Sequence, residues 1–239
     1  MFNVFTAIQA QPNNVSNGRL QVWDNMILNN DVYLSVYMGY GSYSMYGMRK
    51  LQNDLVASSG LKANVNSSFP PFWLYGVNLS QRYDSSVFGF DLESMSTGAR
   101  SSIADYSGQF TSDFRCSGLK LGVFIEKNLS FKIKRTKGLI FGYRLEAGGI
   151  YSNVKYQSQL IINGLEEGTQ SQSSLMATAV PFIEPALFVK WQIIHKTQLH
   201  FSLGYMLDFP TFAYTGNSLS NYPIGWAGYR MKFGLVRQL

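Results

Sequence analysis

Charge is scarce in this 239-residue chain. Asp, Glu, Lys and Arg make up 14% of it, against roughly 25% in an ordinary soluble domain, while aromatic residues reach 15%. A surface so poor in charge points to contact with something other than water. There is one cysteine, Cys116, which excludes an intramolecular disulfide. It reads as a small buried hydrophobe. The two histidines, His195 and His200, have no Cys pair or acid cluster at ligand spacing, so no metal site is expected. No glycine-rich phosphate loop is present, and no cofactor is expected either. Long apolar runs are missing too. Without ~18 to 20 consecutive apolar residues, a membrane-spanning helix is excluded. A β-barrel, which needs only alternation, is not. No Pro- or Ser-rich linker divides the chain.

The net charge of +6 is spread over scattered Lys and Arg rather than one long basic face, so nucleic acid is not the expected partner. Anionic lipid headgroups suit it better.

The informative signal is a period of two. From Gln198, residues Leu199, Phe201, Leu203, Tyr205, Leu207 and Phe209 fall on one face. Gln198, His200, Ser202, Gly204, Met206 and Asp208 fall on the other. The C-terminal segment places Tyr229, Met231, Phe233 and Leu235 against Arg230, Lys232 and Gly234. Phe141, Tyr143 and Leu145 oppose Arg144 and Glu146, and Leu187, Val189 and Trp191 oppose Glu184, Lys190 and Gln192. A soluble sandwich would have to hide such charged faces in its core. Four earlier segments, beginning near Val32, Trp73, Phe88 and Gly118, are compatible and bring the number to eight, with ten as the alternative.

The connections alternate in length. Ser44 to Pro70, Ser101 to Ser112, Asn153 to Ser174 and Phe209 to Pro223 are long; Tyr83 to Ser86 and His195 to Thr197 are short. Asn128 to Lys137 is intermediate and carries Lys132, Lys134, Arg135 and Lys137, a basic run that reads as a solvated turn. Short turns on the periplasmic side would put both termini there. Met1 to Asn30 has no clear period and is read as an N-terminal periplasmic segment before a barrel over 31–239. Within it, Ala7-Ile8-Gln9-Ala10 resembles the tail of a signal cleavage site. Met45, Met48, Leu51 and Leu55 predict a short amphipathic helix that packs against the barrel mouth. The loop from Ile161, with Gly164, Gly168 and a Gln/Ser run, is expected to be a tip without fold.

With this alternation, Arg82, Asp91, Glu93, Lys120, Glu126, Arg144, Glu146, Glu184, Lys190, Asp208, Arg230 and Lys232 face the interior, six of each sign. They are expected to interlock, because an unpaired charge in a narrow lumen is costly. Phe141, Tyr143, Leu187, Trp191, Phe201, Tyr205, Tyr229 and Phe233 are read as lipid-facing.

Over roughly Asp31 to Leu239 the chain resembles the small eight-stranded outer-membrane β-barrels of Gram-negative bacteria. The resemblance is carried by Leu139 to Ala147, Gln198 to Phe209 and Tyr229 to Leu235. It departs at Leu239, where an aromatic residue would be usual. It implies an all-β, transmembrane, antiparallel up-and-down barrel in the bacterial outer membrane, among lipid, lipopolysaccharide and other envelope proteins. Some such barrels modify lipid A with a His and a Ser two apart on one strand. His200-Phe201-Ser202 copies that spacing, with Glu184 as an acid. The parity of His200 points inward, so it is read as a lumen residue. The expected function is non-enzymatic: a recognition protein or accessory subunit acting through outer loops or wall. A narrow channel and a lipid A-modifying enzyme are the alternatives.

Overall fold

A computed structural model describes residues 31–58, 64–106, 108–129, 138–162, 170–209 and 222–239. Met1 to Asn30, the basic run from Lys132 to Lys137, and Gly164 with Gly168 lie outside the described residues.

The elements are β1 (Val32–Gly41), α1 (Tyr46–Ser58), β2 (Asn64–Ser68), β3 (Phe72–Tyr83), β4 (Ser86–Asp105), β5 (Gly108–Leu129), β6 (Leu139–Ile162), β7 (Gln170–Ile194), β8 (Thr197–Asp208) and β9 (Gly228–Gln238). β1 pairs with both β3 and β9, β4 pairs with both β3 and β5, and the remaining neighbours follow chain order, all antiparallel. The sheet therefore closes on itself as a ring of eight. β2 continues β3 along β4 after an interruption at Phe69-Pro70-Pro71, where Pro cannot donate to the ladder.

Alternation decides which way each strand faces. In β9, Gly228, Arg230, Lys232, Gly234 and Val236 are buried, and the residues between them are exposed. In β1, Tyr33, Ser35 and Tyr37 are buried while Leu34, Val36, Met38 and Tyr40 are exposed. Closure of the ring makes the inner face the only place the charged residues can go, and leaves the apolar face outside. Three inward rings fill the space vacated by four glycines directly across the ladder: Tyr37 over Gly76 and Gly234, Phe124 over Gly89, and Phe188 over Gly142. This pairing of a ring with a missing side chain pins register in a tightly curved sheet.

Two of the expected long loops are strand. β4 and β5 stay paired to Asp105 and Gly108, so Ser101 to Ser112 is a hairpin extension. β6 and β7 stay paired to Leu160 and Gln170, which takes in most of Asn153 to Ser174. Both segments are rich in Ser, Thr and Gln. Beyond the apolar band both faces of a strand meet polar surroundings, so apolar alternation fades although the ladder continues. The start of β1 and the end of β9 lie at the same end as the Asp84-Ser85 and His195-Lys196 turns, since Val32 pairs with Gln81 and Tyr33 with Gln238. Asp84 and Lys196 take the left-handed conformation, φ 54° and 65°, as two-residue hairpin turns demand.

Candidate functional site

The lumen is filled in two layers of opposite chemistry. In the half nearer the short turns lies an ion-pair network. Lys120 Nζ is fully buried and reaches four carboxylates: Glu146 at 2.9 Å, Glu184 at 3.0 Å, and Asp91 and Glu93 at 3.4 Å each. Arg144 bonds Glu146 at 2.7 Å and stands 3.3 Å from Asp91 and 3.6 Å from Glu126. Its guanidinium lies over the Phe124 ring, 3.6 Å from the centroid. Lys232 bridges Glu184 at 2.7 Å and Glu93 at 2.8 Å, and Lys190 pairs with Glu126. The Tyr37 hydroxyl contacts Asp91 and Glu93, at 2.9 Å to each. The members come from β1, β4, β5, β6, β7 and β9, so the network ties the ring across its bore. Each cation shares two or more acceptors or a ring face, the condition under which buried charge is tolerated.

Nine of the twelve inward-read charges meet here. The other three sit nearer strand ends and do different work. Arg82 is half-exposed at the short-turn mouth, 4.0 Å from Asp31. Asp208 accepts the backbone N–H of Trp226. Arg230 is buried but donates to backbone carbonyls, of Ser42, Trp226 (2.7 Å) and Tyr229 (3.1 Å), with its guanidinium over the Tyr43 ring.

These last two hold the second layer, an apolar cap in the half nearer the long connections. α1 turns Met48 and Leu51 into it, with Met45 just ahead of the helix, all buried, and Leu55 packs at the edge. The helix lies inside the mouth, in contact with the barrel interior. Phe69, Leu74, Met95, Phe114, Ile150 and Trp226 complete the core. Arg49 anchors the helix start through the carbonyls of Ser44 (2.9 Å) and Phe69 (3.1 Å), and Gln52 bonds Ser101 Oγ at 2.8 Å. Trp226 stacks edge-on against Tyr43 and donates its indole N–H to Ser152 Oγ at 2.7 Å. Gly47 packs so closely on Pro223 that a side chain there would strike the backbone. The Trp226 segment has no period to announce it. A tryptophan flanked by glycine and proline was its one available signal.

Between network and short-turn mouth remains a cavity of about 20 Å³ beside His200, Glu126 and Lys190, room for about one water molecule. Beyond it a vestibule of about 250 Å³ opens at the mouth, with Arg82, His195 and Lys196 at its rim. His200 and Ser202 are buried inside the ring, and Glu184 is engaged with the two lysines. Cys116 is buried in the cap core.

The outer wall has its own order. Tyr143, Leu187, Trp191, Phe201, Tyr205, Tyr229 and Phe233 are exposed on it, and Phe141 lies on the same face at intermediate exposure. Exposed Tyr40, Trp73, Tyr75, Tyr151, Tyr205 and Tyr229 edge the band toward the long connections, and Tyr83, Tyr143 and Trp191 edge it toward the short turns. Two aromatic girdles around an apolar band are the surface of a barrel that sits in a bilayer. Beyond the band, Arg100 grips Asp113 through two bonds of 2.6 and 2.8 Å, which hold the Asp113 carboxyl below its ordinary range.

No protein-family model and no curated protein matches the chain. Solved structures to which it is similar include OprG, an outer-membrane protein of Pseudomonas aeruginosa, at 10% identity over 88% of this chain and 96% of that one, TM-score 0.49. Neisserial surface protein A shares 9% identity over 87% and 97%, TM-score 0.42. The attachment invasion locus protein Ail of Yersinia pestis, solved with the heparin analogue sucrose octasulfate, shares 9% over 89% and 100%, TM-score 0.37.

Proposed function

We propose, from the premise that this chain is a small eight-stranded β-barrel of the outer-membrane kind, that it is a non-enzymatic protein of the bacterial outer membrane, with its termini periplasmic. It works through its long-connection end and its outer wall, as a recognition protein or as an accessory subunit of an envelope complex. The observation that carries this reading is the doubly filled lumen: among the described residues, an ion-pair network and an apolar cap stacked along one axis leave no open bore. With transport blocked along the axis, the surfaces left for function are the extended hairpins and the wall, where a rigid scaffold commonly presents binding residues.

The enzyme alternative loses support from burial, because a lipid substrate cannot reach His200 or Ser202 inside the ring. The channel alternative loses support from the same filling. Lipid and lipopolysaccharide surround such a wall, and other envelope proteins are the natural class of further partner.

Extraction in mild detergent, followed by sizing and mass spectrometry, separates the two roles. A stoichiometric companion makes the chain a subunit, and a solitary barrel leaves recognition at the hairpins. Stable unitary conductance in a planar bilayer, or lipid A modification lost in a His200→Ala variant, would overturn the proposal.

A further inference from the structure

Arg115 on β5 and Lys155 on β6 are directly opposite in the ladder, both exposed on the outer wall. Like charges in that relation repel, and neither forms an ion pair with a described residue. Among the described residues, the carboxylate that Arg115 acts on is Asp113, two residues before it, and that group is already held by Arg100 on both oxygens. Three cations therefore share one committed anion. The excess borders a groove of about 490 Å³ whose lining contains no acidic residue. The groove lies where the ladder along β4 is interrupted at Phe69-Pro70-Pro71, a segment still tied to β4 by the Phe69 N–H on the Gly98 carbonyl at 2.9 Å and the Thr97 hydroxyl on the Pro70 carbonyl at 2.8 Å. Phe72, exposed, forms its apolar side.

Position narrows the occupant. Leu119 and Tyr151 pair across β5 and β6 at the edge of the apolar band, and Arg115 and Lys155 each lie four residues further out. Four residues are about 13 Å of strand, or roughly 10 Å along the barrel axis at the usual tilt. Long basic side chains can lean back by several ångströms toward the band. Their charges then lie at headgroup level, over an apolar wall.

We propose that this groove seats the phosphorylated headgroup of an anionic lipid from the leaflet around the long-connection end. Arg115 and Lys155 donate to the phosphate and the acyl chains lie against Phe72 and the band below. The phosphate converts a repulsive pair into a bridged one. This inference rests on the membrane reading above, and the experiment separates the two.

The full chain is placed in nanodiscs of phosphatidylcholine with or without lipid A, and lipid retention is read by native mass spectrometry and stability by thermal unfolding. Wild type should retain lipid A about ten-fold better than the Arg115→Ala/Lys155→Ala double variant, as expected for losing charge-assisted bonds to one phosphate. Lys155→Glu should melt above wild type in phosphatidylcholine alone, where it pairs with Arg115, and below wild type when lipid A is present. Equal retention, or an order of melting that does not reverse, overturns the seat while leaving the barrel reading intact. The same stabilisation by inorganic phosphate in phosphatidylcholine overturns its assignment to a lipid. A chain that does not insert at all sinks the membrane reading and the seat with it.

Discussion

At the scale of single residues, space and charge are both allotted tightly. A methyl on Gly142 would lie 2.3 Å from the Phe188 ring and 2.5 Å from the Lys127 carbonyl, whereas one on Gly149 meets nothing within 4 Å. Gly142→Ala should therefore lower unfolding stability by about 1–3 kcal/mol and Gly149→Ala should leave it nearly unchanged, read as the loss of the compact band on unboiled gels with rising urea. Among the described residues, Lys120 is the only cation that touches Glu146, Glu184, Asp91 and Glu93 together. Lys120→Met leaves four carboxylates converging on an apolar side chain and should cost about 3–5 kcal/mol. The same titration reads it, and a loss under 1 kcal/mol would mean that Lys232 and Arg144 suffice.

Among elements, the β4–β5 hairpin reaches past the apolar band into water and is tied there by Arg100 and Asp113. Because pairing lowers the folded Asp113 pKa, its contribution is present above the ordinary aspartate pKa and disappears as pH falls through the depressed folded value. Amide protection near Thr111 to Phe114 should thus hold from neutral pH into the acid range and drop below it. Asp113→Asn should flatten that dependence; an unchanged profile would place the titrating group elsewhere. This hairpin also marks where sequence stops being informative. Within the band, Leu199 to Phe209 declares its strand, its faces and the inward charges, because oil and lumen demand different side chains at every second position. Past the band, Ser101 to Ser112 no longer has lipid on its outer face, and its inner face is lined by small polar residues such as the buried Ser101 and Ser112, so nothing in its composition separates a strand from a loop. The nine network charges were legible by parity. Their pairing was not, since it depends on the stagger of strands around the ring. The helix was legible from Met45, Met48, Leu51 and Leu55, because a core-facing stripe obeys a local period. Its partner Trp226 lies on an irregular segment 170 residues or more away, and no local rule reaches that far.

For the whole molecule, the two layers close the lumen independently. Deleting Tyr46 to Ser58 removes the helix but leaves every ion pair of the network in place, so bilayer current should stay at baseline. Current that appears on this deletion would assign the seal to the cap alone. The ring is completed where the first strand meets the last, and that seam does not end with the strands. Past Gly41 the chain continues to bond across it, Ser42 N–H to Tyr229 O at 2.9 Å, Ser44 N–H to Ala227 O at 2.8 Å and Met45 N–H to Gly225 O at 2.8 Å. Arg230 adds its bond to the Ser42 carbonyl. A lateral exit for a hydrophobic passenger would have to unzip these stitches and lift α1 with them, so sideways release into the bilayer is barred by the same residues that block the axis.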